Sequence, residues 1–165
     1  MKKLSWFLSV LFFVTLLAGC GSDPIQDDLI SYINEGVLSV ADEEKRILAE
    51  YASLNAENAD DETFSNRLNE SIIPAYQNYV EKVTDIKPKT KEVRALHEIL
   101  IEIVNTQMSA FVTMVDALEK QNFSLVEQAN GQLDQVSKLT KDYHEKLADL
   151  AKDYKVNYKN KDANS

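Results

Sequence analysis

The chain has 165 residues, a formal charge of −9 and 27% charged residues, with four glycines, three prolines and one cysteine. An acidic chain is a poor partner for nucleic acid, whose binding depends on neutralising phosphates. One cysteine excludes an intramolecular disulfide, and so little Gly and Pro argues against a β-sandwich and for long solvated helices.

The N-terminus reads Met1-Lys2-Lys3, then an apolar run from Leu4 to Ala18 broken by Ser5, Ser9 and Thr15. A short positive segment before such a run is a secretory signal, and the run is short for a membrane span of about 20 residues. Leu17-Ala18-Gly19-Cys20 follows. This string resembles the lipobox of bacterial lipoproteins at all four positions. The resemblance implies removal of residues 1–19, diacylglycerol transfer to the Cys20 sulfur and palmitate-type acylation. It places the protein at the cell membrane, lipid-anchored on the extracytoplasmic face. Two acyl chains anchor stably where one anchors marginally. Loss of Lys2 and Lys3 leaves the mature chain two units more negative.

Residues 20–23 form a short lipidated tether, and residues 24–154 read as an all-α, up-down-up-down four-helix bundle. Asp23-Pro24 is an N-cap followed by proline at the first helical position. The first helix is expected over about 24–55, on an apolar stripe of Ile25, Leu29, Ile33, Val37, Val40, Ile47, Tyr51 and Leu54, with a gap at Glu44. Asp60 or Asp61 caps the second helix, whose stripe is Phe64, Leu68, Ile72, Tyr76, Val80 and Val83. Pro74 lies inside it, so a kink or break is expected near Ile73. A contiguous exposed apolar patch, for instance around Tyr76 and Tyr79, would favour an interaction module.

The linker "IKPKTKE" leads to Thr90, a candidate cap for a third helix reaching about Gln121. Its core face is Val93, Leu96, Leu100, Val104, Gln107, Phe111, Met114 and Leu118. Ser124, with Glu127 three residues on, predicts a capping box for a fourth helix running to about Tyr154. Residues 155–165 read as a flexible tail.

Alternation of the helices would gather Lys87, Lys89, Lys91, Lys152, Lys155 and Lys159 at the tether end, facing anionic headgroups. Glu57, Asp60, Asp61 and Glu62 would lie at the other end. Gln107 is a candidate buried polar residue, fixing helix register or lining a small ligand site. Gly36 and Gly131 are helix-interior glycines that allow close helix approach or mark a groove.

No catalytic, metal or cofactor site is expected. The di-iron bundle pattern needs Glu three residues before His, but Arg94 and Lys141 precede His97 and His144. Met108 and Met114 at helical spacing read as core, and the two histidines as surface or hydrogen-bonded residues. The mature region looks like small helical lipoproteins of Gram-positive bacteria. The function expected is a non-catalytic interaction module at the envelope. The alternatives are a small-ligand carrier with an interior pocket and a structural spacer. The expected partners are the membrane and an envelope protein.

Overall fold

The computed structural model describes residues 23–57 and 59–157, and these form four long helices. Helix α1 joins Pro24–Ser31, a π-helical segment Tyr32–Val37, and Leu38–Ala56. Helix α2 joins Asp61–Arg67, a second π segment Leu68–Ile72, and Ile73–Asp85. Helices α3 and α4 are Lys91–Glu119 and Phe123–Asp153. The lipobox, Cys20 and Lys159 lie outside the described residues.

Two expected caps form. Asp23 accepts the Ile25 N–H at 2.9 Å, with Pro24 beginning the helix, and Asp60 accepts the Thr63 N–H at 2.8 Å. The other two differ. Asn122, not Ser124, caps α4 by accepting the Ser124 N–H at 3.0 Å, so the helix begins at Phe123. Thr90 precedes α3, but its side chain makes no capping bond.

Helix α2 runs through Pro74 unbroken, with Ile72 and Ile73 both in right-handed helical conformation. A proline ring crowds the carbonyl four residues back and offers no N–H. The π segment Leu68–Ile72 widens the coil at that point, which relieves the crowding. It also keeps Leu68, Ile72 and Tyr76, all 0% exposed, on the core side.

Helix α3 is the hub. Val93, Leu96, Leu100, Ile103, Val104, Ala110, Phe111, Val115 and Ala117 are all buried along it. It alone among the described helices is long and apolar enough to cross a membrane, and burial at the centre of the core accounts for that composition. Rings interlock beside it: Phe111 lies 5.2 Å from Tyr76 and 4.9 Å from Tyr51 between centroids.

Contacts between α1 and α2, and between α2 and α3, run in opposite order. Glu43 pairs with Lys82 and Glu50 with Arg67; Tyr76 meets Gln107 and Asn69 meets Glu119. Gln132 of α4 donates to Ser109 of α3, and Tyr32 of α1 meets Tyr143 of α4.

Candidate functional site

The end of the molecule nearest the tether is held by hydrogen bonds between segments far apart in sequence. Asp28, buried one turn into α1, accepts the Lys89 N–H at 2.9 Å, the Thr90 N–H at 2.7 Å and the Thr90 hydroxyl at 2.6 Å. Burial alone would raise this carboxyl. The Thr90 hydroxyl and amide and the Lys89 amide together outweigh it and hold the group below the ordinary carboxylate value. Thr90 therefore spends its hydroxyl on α1 instead of on its own helix.

On the same end, Gln26 donates to the carbonyl of Tyr154 at 2.8 Å. Helix α4 closes in a Schellman motif: Val156 N–H bonds the Ala151 carbonyl at 2.7 Å and Lys155 N–H bonds that of Lys152, with Lys155 at φ 56°. Val156 is buried, so packed structure continues past the helix into the region expected to be a tail.

The linker between α2 and α3 crosses this end as a strap, fixed by Asp28 at Lys89 and Thr90. Ile86 in the strap meets Gly36 of α1 so closely that a Cβ on the glycine would lie 2.9 Å from the Ile86 Cγ2. Gly36 therefore admits a side chain of the strap rather than another helix, and it lines the groove beside it. Gly131 serves no close approach, since nothing lies within 4 Å of where its Cβ would stand.

Two shallow grooves flank the strap. One, of ≈ 290 Å³, is lined by residues including Tyr32, Glu35, Gly36, Lys82 and Lys89. The other, of ≈ 310 Å³, is lined by Thr84, Ile86, Lys87, Pro88, Arg94, His97, Glu98 and Ile101.

His97 is not the surface or hydrogen-bonded residue expected. It is 5% exposed, and neither ring nitrogen has a partner. Its ring meets Tyr32 edge-on at 5.6 Å. Burial, then the nearby Lys87 ammonium, pull its pKa below the usual histidine value, against a smaller opposing effect of Glu98. The imidazole is thus held neutral at physiological pH.

Behind it runs a polar string through the core. Tyr32 and Tyr143 hydroxyls lie 3.1 Å apart, and the Tyr79 hydroxyl reaches Glu44. Tyr76 donates to the Gln107 Oε1 at 3.3 Å. Burial, above all, pushes the Tyr32, Tyr76 and Tyr79 hydroxyls far up, and it raises the Glu44 carboxyl too. Tyr76 and Tyr79 are 0% and 2% exposed, so they form no exposed apolar patch that would favour an interaction module; they are core residues. The apparent gap at Glu44 is where α1 meets the Tyr79 hydroxyl. Gln107 is buried as expected, and its bond to Tyr76 supports a register role.

Lys87, Lys89, Lys91, Lys152 and Lys155 are exposed. Acids stand among them. Partial burial, then Glu92, Asp23 and Asp153, raise the Tyr154 hydroxyl, so this end is mixed in sign rather than simply basic.

A lipobox ahead of a four-helix domain raises the question of family. The model of the EMYY-motif containing lipoproteins matches residues 1–165, the full chain.

The chain belongs to that family.

It is thus an envelope-associated bacterial lipoprotein, and membership of an EMYY-motif lipoprotein family brings membrane association with it. The string Glu-Met-Tyr-Tyr does not occur in this sequence, so nothing that string does can be placed on residues here. No curated protein and no solved structure matches the chain.

Proposed function

We propose that residues 1–19 are removed, that Cys20 is acylated, and that the mature chain sits on the extracytoplasmic face of a Gram-positive cell membrane. There the four helices alternate in direction and act as a non-catalytic interaction module. The opposite order of contacts between α1 and α2, and between α2 and α3, supports the alternation. Two of the buried polar residues, Asp28 and Gln107, are engaged by Thr90 and Tyr76, which supports a scaffold role for them over a catalytic one.

One observation carries the interaction reading. Phe123, the first residue of α4, is 84% exposed. It stands on a defined turn, directly after the Gln121 left-handed residue at φ 48° and the Asn122 cap. An aromatic ring is a large apolar payload, and rings of this kind anchor interfaces. Exposed to water at the end of α3 remote from the strap, it is the contact a partner would cover.

The test is a photo-crosslinking residue at position 123 in living cells, with position 138 as a control and Cys20→Ala as a localisation control. A single adduct at 123 that is absent at 138 and lost with Cys20→Ala supports the module. Equal, diffuse adducts at both positions contradict it and favour a spacer.

A further inference from the structure

The groove on the α3 side of the strap has a composition that its packing role does not require. Its walls are the apolar side chains of Ile86, Pro88 and Ile101, and its floor is the buried ring of His97. Lys87 and Arg94 stand on the rim, with Glu98 as the one carboxylate lining it. Lys87 uses one donor on the Thr84 carbonyl and Arg94 one on the Lys89 carbonyl. An ammonium has three donors and a guanidinium five, so both keep free ones.

The position of the groove selects the occupant. Only Gly21, Ser22 and Asp23 separate Cys20 from the first helical residue, a reach of about 3.3–3.6 Å per residue at full extension. Asp28, whose carboxylate fixes the strap, is five residues from Asp23, about 7–8 Å along a helix. A chain anchored at Cys20 therefore carries Asp28, and the strap it holds, within about 20 Å of the leaflet, and the groove beside the strap can lie against the headgroups.

We propose that the groove formed by Lys87, Arg94, His97, Ile86, Pro88 and Ile101 binds the headgroup of an anionic phospholipid in the anchoring leaflet. The phosphate sits between Lys87 and Arg94, and the glycerol and upper acyl carbons lie on Ile86, Pro88 and Ile101. The buried imidazole closes the floor with the carbon edge of its ring. This rests on the anchoring reading, since it is the short tether that brings the groove to the membrane. It gives the anchored bundle a second, composition-sensitive contact that sets its tilt.

The test uses the full mature chain purified from membranes, its acylation read by intact mass. Amide exchange of residues 84–101 is followed with excess vesicles of phosphatidylcholine alone, and of phosphatidylcholine with phosphatidylglycerol. Slower exchange with the anionic vesicles is expected. In Lys87→Gln/Arg94→Gln the apparent affinity for anionic vesicles should fall about twenty-five-fold, at about fivefold per cation. The charge-matched Lys45→Gln/Lys138→Gln protein should keep it. Equal exchange on the two vesicle types, or equal losses in the two double variants, overturns the site. So does the same protection from millimolar inorganic phosphate alone. A chain without acyl groups would sink the anchoring reading separately, and the vesicle comparison would still decide the groove.

Discussion

The Asp28 carboxylate holds Thr90 by two bonds at once, from the amide at 2.7 Å and from the hydroxyl at 2.6 Å, across 62 residues of sequence. This pair fixes where the strap crosses the end of the bundle, and hence where both grooves lie. Asp28→Asn keeps the shape but loses the charge that strengthens these bonds. A loss of about 2–3 kcal/mol is expected at pH 7. The folded pKa of Asp28 is lowered, so its stabilisation is present above the unfolded value and is lost as pH falls through the folded one. Urea midpoints from pH 7 down to pH 3 should fall in wild type and fall less in Asp28→Asn. Parallel curves would contradict this account of Asp28.

His97 loses stability in the same pH direction, but here it is the neutral form that the fold favours. Its folded pKa is lowered, so the unfolded chain takes up the proton first as pH drops below about 6.5. Stability contributed by the neutral ring is therefore present at pH 7.5 and declines towards pH 5. His97→Leu removes two unpartnered buried nitrogens and this dependence together. It should be more stable by about 1–3 kcal/mol, with a larger gain at pH 5 than at pH 7.5. A gain that is the same at both pH values would show that His97 does not titrate as a buried group.

The two helix-interior glycines should respond oppositely to alanine. Gly131→Ala meets open space and should stabilise by about 0.5–1 kcal/mol through helix propensity alone. Gly36→Ala drives a methyl into the Ile86 Cγ2, a methyl fixed on the branched Cβ with little freedom to move, and should destabilise the strap. The double variant Gly36→Ala/Ile86→Ala should show coupling in a double-mutant cycle, because the two changes compensate in space. Additive effects would mean the contact is not a constraint.

Gln121 and Lys155 both occupy left-handed positions, at φ 48° and 56°, where they close α3 and α4. A side chain there costs about 1–2 kcal/mol that glycine avoids. Gln121→Gly and Lys155→Gly should each raise the thermal midpoint by a few degrees. Lower midpoints in both would argue against the Schellman closures.

The stripe of each helix was legible in sequence because helical periodicity is local: Leu29, Ile47, Leu68, Val93 and Val104 fall on the expected faces and are buried. Tyr32, Tyr79 and His97 were not legible as core. Tyr32 neighbours Ile33, and a regular helix turns consecutive residues about 100° apart; the π segment widens the turn so that both lie inside. Tyr79 reads as surface until Glu44, 35 residues earlier, supplies its partner. Asp28 reads as a solvated acid for the same reason. Polar burial is decided by partners far away in sequence, and spacing carries no trace of them. The lipobox-like string Leu17-Ala18-Gly19-Cys20 can be read because it is local and linear, whereas the groove beside the strap exists only after α2, the strap and α3 meet.

The central claim is that Cys20 anchors this bundle to a membrane. The direct measurement is metabolic labelling with an alkyne-bearing palmitate analogue, followed by fractionation of wild type and Cys20→Ala cells. The account predicts label on the wild-type protein in the membrane fraction, and an unlabelled Cys20→Ala protein with its leader still attached. Label that persists in Cys20→Ala, or a wild-type protein processed without label, would contradict it.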